Sequence, residues 1–321
     1  MSSKTNQSVL VANSGKDATG VRKSKNLIRK GESRVLLLMA LPAFAIYAVL
    51  YLYPALSNLL WATRRWDGNP ETKAESVGLR NFTYMFTNDD VFIQSLGNNF
   101  RFMLIVVIFQ TGFSLLFATY LTKNTRTSIF LRTLYFFPTI LSSVSVGLIW
   151  LALYDPNYGF INASFKALGF ESLALNWLGD SRYALYALAV TQVWFHTGQM
   201  MVIYVAGLQQ IPQELYEAAQ VDGATKWQQF KHVTWPMALP TTAVVVAYTT
   251  IQTFRAFDLV YTMTNGGPLN STEILVTLIY RNAFFGYQYG YAAAQTVVLV
   301  VVVLSLTWLQ RRTLRLDYGV K

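Results

Sequence analysis

Residues 211–240, IPQELYEAAQVDGATKWQQFKHVTWPMALP, form the longest amphipathic segment in a sequence otherwise dominated by apolar runs. A segment of this kind lies outside a bilayer while its apolar flanks lie within it. Its residues describe two short helices. Pro212 suits the first helical position, and Glu214 and Glu217 sit early, where the positive end of the helix dipole favours carboxylates. Gly223 ends the first helix at low conformational cost. Thr225 starts the second as its cap, with Gln228 three residues on completing a capping box. Pro236 stops that helix or bends the chain into the next apolar run. Leu215, Ala218 and Ala219 make an apolar stripe on the first piece, and Trp227, Phe230 and Val233 make one on the second. Each stripe needs cover from the chain's own bundle, from lipid headgroups or from another protein.

Composition leads to the same class. Of 321 residues, 53% are hydrophobic, 15% aromatic and only 13% charged, too apolar for an ordinary soluble protein. The chain is expected to be an all-α integral membrane protein. It has no Cys, which removes disulfides, thiolate nucleophiles and Cys-ligated metals. Only His196 and His232 are available as imidazoles, so a His-rich metal site is excluded as well.

Taken in order, residues 1–34 are polar and basic and read as a disordered tail beside anionic headgroups rather than a nucleic-acid arm, because they lead straight into an apolar run. That run, 35–61, is too long and aromatic for a signal-peptide core and reads as a retained helix kinked at Pro42 and Pro54. Further spans are expected over about 99–121, 129–153, 183–208, 237–261 and 291–309, each long enough for a hydrocarbon core of about 30 Å. Residues 311–321 form a tail. Helices are required because no other open structure satisfies its backbone in lipid. Lys and Arg on the side of the 211–240 segment outnumber those on the other side by about two to one, and acidic residues run the opposite way. The segment and both termini are therefore expected to be cytoplasmic.

Glu217-Ala218-Ala219, then Asp222-Gly223-Ala224, then Pro236 at matching distance, resemble the EAA loop in permease subunits of ATP-binding-cassette (ABC) importers. The family pattern ends in Ile-x-Leu-Pro, where this chain has Val233-Thr234-Trp235-Pro236. Gly78-Leu79-Arg80-Asn81-Phe82 is similar to a segment of the first external loop of carbohydrate permeases. Residues 257–268, FDLVYTMTNGGP, with Thr272, Ile279 and Tyr280 beyond, look like the external loop of the first permease of maltose-type systems. On the residues alone, Asn-Gly-Gly-Pro is a turn.

The resemblance implies a six-span type I importer permease in a bacterial inner membrane. It implies a second, similar permease, an ATPase dimer that binds ATP and Mg, an extracytoplasmic binding protein and a sugar or glycerol-phosphate cargo, with no cofactor in this chain. It assigns ATPase coupling to Glu217, Ala218, Ala219, Asp222, Gly223, Trp227, Phe230 and Pro236: Glu217 for a polar contact, Gly223 for the bend, Trp227 with Phe230 for an apolar fit.

The chain has no G-x-x-x-x-G-K-[S/T] phosphate cradle, so it is not expected to hydrolyse ATP itself. Asp89-Asp90 is the one acidic pair that invites a metal, and without a second cluster it reads as a solvated loop. Polar residues inside spans are costly unless they face a cavity or a partner. Gln192, His196 and Gln199 fall at i, i+4 and i+7 on one face, with Trp194 nearby and Gln252 on the next span. An amide, an imidazole and an indole suit a sugar. Interhelical hydrogen bonding explains the same face equally well. Arg255 and Asp258, at i and i+3, read as a structural pair, and Gln110 as packing. An ion-coupled secondary transporter is the competing class, but acidic residues well inside the spans, which it would need, are missing. An assembly scaffold would explain the amphipathic loop and not the polar face.

Overall fold

A computed structural model describes residues 30–69 and 71–313, with side chains from residue 38 onward. Of the tails expected over 1–34 and 311–321, residues 1–29 and 314–321 lie outside the described residues, while 30–34 and 311–313 are helical. The chain divides into two compact units, residues 1–55 and 56–321.

In the first unit, α1 (Lys30–Tyr47) runs through Pro42 into a π-helical turn, Ala48–Leu52, and then into α2 (Tyr53–Trp61). A proline ring in a regular helix collides with the carbonyl four residues back. The widened turn immediately ahead of Pro54 removes that collision, so the helix continues. Leu38–Trp61 is long and apolar enough to cross a membrane.

The second unit takes in the last six residues of α2 and continues with a two-stranded antiparallel hairpin, β1 (Arg64–Arg65) and β2 (Glu75–Ser76), followed by α3 (Arg80–Thr87). Then comes α4 (Asp90–Leu121), which at 32 residues is about 48 Å long. It starts nine residues before the span expected at 99. Asp89 caps it, its carboxylate accepting from the Phe92 N–H at 2.9 Å and from the Tyr291 hydroxyl at 2.5 Å. Asp89 is therefore a cap and a cross-link, not part of a solvated acidic loop.

The third expected span is broken. α5 (Arg126–Phe136) passes through a 3-10 turn at Phe137–Ile140, around Pro138, and α6 (Ser143–Leu153) then departs at 97°. After α7 (Phe160–Ala167) comes α8 (Ala184–Leu208), then α9 (Gln213–Val221) and α10 (Lys226–Gln229). Phe230–Thr234 is a second π-turn leading into α11 (Trp235–Phe254). The expected fifth span ends early, at Phe254, and the chain restarts as α12 (Phe257–Met263); α13 (Leu275–Phe284) and α14 (Tyr289–Thr313) complete it.

Asp90–Leu121 and Tyr289–Thr313 also meet the length and hydropathy needed to span a bilayer, and the bent α5–α6 pair does so as one unit. α8 and α11 are long enough, but polar side chains lower their hydropathy. Those side chains are buried: Thr191, Gln192 and Thr197 on α8, and Thr249, Thr250 and Thr253 on α11. Thr249 and Thr250 accept bonds from other helices, from Gln110 Nε2 at 3.3 Å and Gln310 Nε2 at 2.8 Å, and the Thr197 carbonyl accepts from Ser114 Oγ at 2.8 Å, while the Thr191, Thr197 and Thr253 hydroxyls donate to carbonyls of their own helices. Central helices that face protein rather than lipid tolerate this polarity. α4 passes through all three apolar clusters of the unit and packs along α8.

Candidate functional site

Two features of the second unit carry chemistry, an open cavity at one end of α11 and an exposed helical element at the other. The cavity, of about 480 Å³, is lined by the 3-10 bend (Leu141, Ser143), α8 (Gln192, Phe195, His196), α11 (Tyr248, Ile251, Gln252, Arg255) and α12 (Ala256 before it, Asp258, Leu259).

Helix breaks make this space. α5 and α6 diverge at Pro138, and α11 stops where α12 restarts, so two helix breaks meet on one face of α8. Of the five residues expected to line a pathway, Gln192, His196 and Gln252 meet here. Gln199 lies beside it, its amide donating to the Tyr248 hydroxyl at 3.2 Å. Trp194 does not line the cavity; it packs edge-on against Trp150, ring centroids 5.4 Å apart. Gln110 does more than fill space, since its amide also donates to Gln252 Oε1 at 3.3 Å and so fixes that side chain at the cavity wall. His196 is half-buried on this face of α8, with its Nδ1 enclosed by the protein.

The expected Arg255–Asp258 pair is not formed. Arg255 is the C-cap of α11 and Asp258 lies in the first turn of α12, so the two do not share one continuous helix. Asp258 Oδ2 instead accepts from Ser143 Oγ at 2.8 Å, tying α12 to the start of α6. Ser143 and Tyr248 escaped the sequence reading and Asp258 was read as the partner of Arg255; the bend at 137–142 and the break after Phe254 bring them to one cavity instead.

The exposed element is residues 211–240. α9 ends as the glycine required: Gly223 has φ +75°, its N–H bonds the Gln220 carbonyl at 3.0 Å, and the Ala224 N–H reaches the Ala219 carbonyl at 2.9 Å. This double closure is a Schellman cap. Thr225 and Gln228 form the reciprocal capping box. Pro212 is the residue before α9 rather than its first. Pro236 neither stops nor separates the second helix: the π-turn at Phe230–Thr234 relieves its ring, and α10 continues into α11.

The two apolar stripes divide. Tyr216, Phe230 and Val233 pack on the chain's own core, and the Tyr216 hydroxyl lies 3.0 Å from Thr234 Oγ1. Trp227 stays 70% exposed, stacked on Phe230 at 5.5 Å. Val221 is 88% exposed and Leu215 is also exposed. Glu217, Ala218, Asp222 and Gly223 are exposed and Ala219 half-buried.

A Cβ at position 223 would meet nothing within 4 Å, so any penalty there is conformational. Gly223→Val is expected to lose about 1–2 kcal/mol of local stability, and Gly223→Asn much less, because Asn tolerates the left-handed region. Hydrogen exchange across 213–229 would register the difference; equal protection in both variants would show that the cap is not needed.

Between α12 and α13, Asn265, Gly266, Leu269 and Asn270 all have positive φ, as a turn rich in Asn and Gly allows. The fully buried Glu273 carboxylate pairs with Arg281, and Asn98 on α4 donates to the Glu273 carbonyl at 3.0 Å. On the loop between α6 and α7, the Tyr158 and Asn157 N–H groups hold the Asp155 carboxyl below its ordinary range.

The description "binding-protein-dependent transport system inner membrane component" matches residues 111–315. The probable ABC transporter permease YurN of Bacillus subtilis is 32% identical over 86% of this chain and 94% of that protein. The trehalose/maltose transport system permease MalF of Thermococcus litoralis is 31% identical over 86% of this chain and 92% of that protein. A chain of a bacterial ABC transporter that imports the acidic polysaccharide alginate superposes with a TM-score of 0.76 over 90% of this chain and 97% of its own, at 21% identity.

Proposed function

This chain belongs to the family of binding-protein-dependent transport system inner membrane components, and from that membership we propose that it is the pathway-forming permease of an ATP-driven importer of a sugar or a related polyol phosphate. The carrying observation is the continuity of α10, the π-turn and α11. One helical rod joins the exposed element at Trp227 to the cavity wall at Gln252. α11 alone spans 20 residues, about 30 Å. Force applied to residues 226–229 reaches the cavity without passing through a flexible joint.

In this reading a separate ATPase dimer, which binds ATP and Mg, docks on residues 211–236. Trp227, Val221 and Leu215 offer it apolar contacts, and Glu217 and Asp222 offer polar ones. A second, homologous permease closes the open side of the cavity, and an extracytoplasmic binding protein delivers the cargo. Both termini and the coupling element face the cytoplasm, consistent with the charge distribution. Gln192, Gln252 and His196 offer paired donors and acceptors to hydroxyls, and Tyr248 and Phe195 offer rings to the apolar face of a sugar. The sugar class is supported by the trehalose/maltose permease among the relatives.

The test is purification in mild detergent, followed by reconstitution of what co-purifies. ATP-dependent uptake by a complex with a second permease and an ATPase is expected; recovery of the chain alone, active in an ion gradient without ATP, would sink the reading. In the working complex, Gln252→Ala and His196→Ala should each reduce uptake about tenfold, corresponding to roughly 1.4 kcal/mol of lost cargo interaction. Unchanged uptake in both would move the pathway elsewhere.

A further inference from the structure

The turn between α4 and α5 is held by side chains from two other places in the fold. Arg132, one and a half turns into α5, donates through Nε to the Leu121 carbonyl at 2.6 Å and through Nη2 to the Lys123 carbonyl at 3.0 Å. Gln209, the residue that closes α8, donates to the Thr122 carbonyl at 2.9 Å. Three successive carbonyls that α4 leaves without helical partners are thus satisfied from α5 and α8. Both donors also converge on one atom, Asn124 Oδ1, at 3.1 Å from Arg132 Nη1 and 3.2 Å from Gln209 Nε2. Arg132 has no carboxylate partner among the described residues.

Arg132 alone satisfies two of these carbonyls. The second donor is the residue three positions before Pro212, where the coupling element begins. α5 in turn ends at the 3-10 bend that presents Leu141 and Ser143 to the cavity. The 211–240 element is therefore joined to the cavity directly by α8 and α11, and by a third connection through Gln209, Asn124, Arg132 and α5.

We propose that Arg132, Asn124 and Gln209 form a latch that makes α5 move with the coupling element, so that Arg132 is a positioning residue for ATP-driven uptake. The proposal rests on the importer reading above. With the latch intact, both walls of the cavity shift together when the ATPase closes. With it broken, α11 moves and the bend at 137–142 lags, so ATP is hydrolysed without the cavity completing its change of access.

The experiment measures uptake and ATP hydrolysis in the same vesicles, containing the complete complex and its binding protein with a radiolabelled sugar that the binding protein retains. Arg132→Ala and Gln209→Ala should hydrolyse ATP within about twofold of the unaltered complex while uptake per ATP falls about tenfold, in the usual range for coupling between sites. Arg132→Lys, which keeps the charge and reaches one carbonyl, should recover most of the ratio. The Arg132→Ala/Gln209→Ala double variant should be no worse than Arg132→Ala, because both act through Asn124. An unchanged ratio in both single variants overturns the latch, as does a parallel fall in hydrolysis and uptake, which marks a merely structural role. If Arg132→Ala does not assemble, the exposed Gln209→Ala carries the test. Absence of ATP-dependent uptake in the unaltered complex would instead overturn the importer reading, and the latch with it.

Discussion

Gly198→Val is expected to destabilise the chain by about 1–3 kcal/mol, the usual cost of forcing volume into a packed interior, and to lose correctly assembled protein. A Cβ at this position would fall on the backbone carbonyl of Tyr135 and close to the Phe136 nitrogen. Backbone cannot rotate aside as a side chain can, so α5 would have to move away from α8. The displacement would break the bond from Thr139 Oγ1 to the Phe195 carbonyl, 3.0 Å long in the intact protein. It would also carry Leu141 and Ser143 off the cavity wall. Thermal unfolding in detergent and the monodisperse yield both report it. An unchanged unfolding midpoint in the Gly198→Val variant would mean that α5 and α8 do not approach closely here.

That contact also marks where sequence reasoning reaches and where it stops. The 211–240 element was legible because its signals are local: Gly223 supplies the left-handed cap, and Thr225 with Gln228 supplies the capping box, each decided within a few residues. The apolar runs gave α8 and α14 to within a few residues for the same reason. Pro236 and Pro54 misled in part, because a π-turn one residue upstream lets a helix pass through a proline, and nothing in the local pattern announces that turn.

The cavity was half legible. Gln192 and His196 follow from helical spacing on one element, whereas Asp258 and Ser143 are 115 residues apart and meet only because Pro138 and the break after Phe254 turn their chains toward each other. Trp194 was misplaced on the same grounds: spacing shows that it is near His196 along α8, not that Trp150 holds it on another side. Interhelical hydrogen bonding, one of the two readings the sequence left open for the polar face of α8, is seen in the bond from Gln199 to Tyr248. Gln110 and Thr249 bond helix to helix, and Gln252 does so while also facing the cavity.

Trp227 and Phe230 make the sharpest test of the exposed element, because they touch each other and yet face different ways. Trp227→Ala should leave the fold within about 0.5 kcal/mol of its original stability, as an exposed side chain does. It should weaken binding of the purified ATPase subunit by about 2 kcal/mol or more, roughly thirtyfold, as loss of a central aromatic anchor does. Phe230→Ala should reverse the pattern. Its ring is half-buried against the core that Tyr216 and Val233 share, so its loss should cost about 1–2 kcal/mol of stability. ATPase binding should then weaken only as far as the indole loses the ring it stacks on. Titration of the ATPase onto the permease complex in nanodiscs, beside thermal unfolding of each variant, separates the two effects. Retention of full ATPase affinity by Trp227→Ala would place the indole among lipid headgroups, where Trp also gathers. The apolar contact would then have to come from Val221 and Leu215, on the other helix of the element.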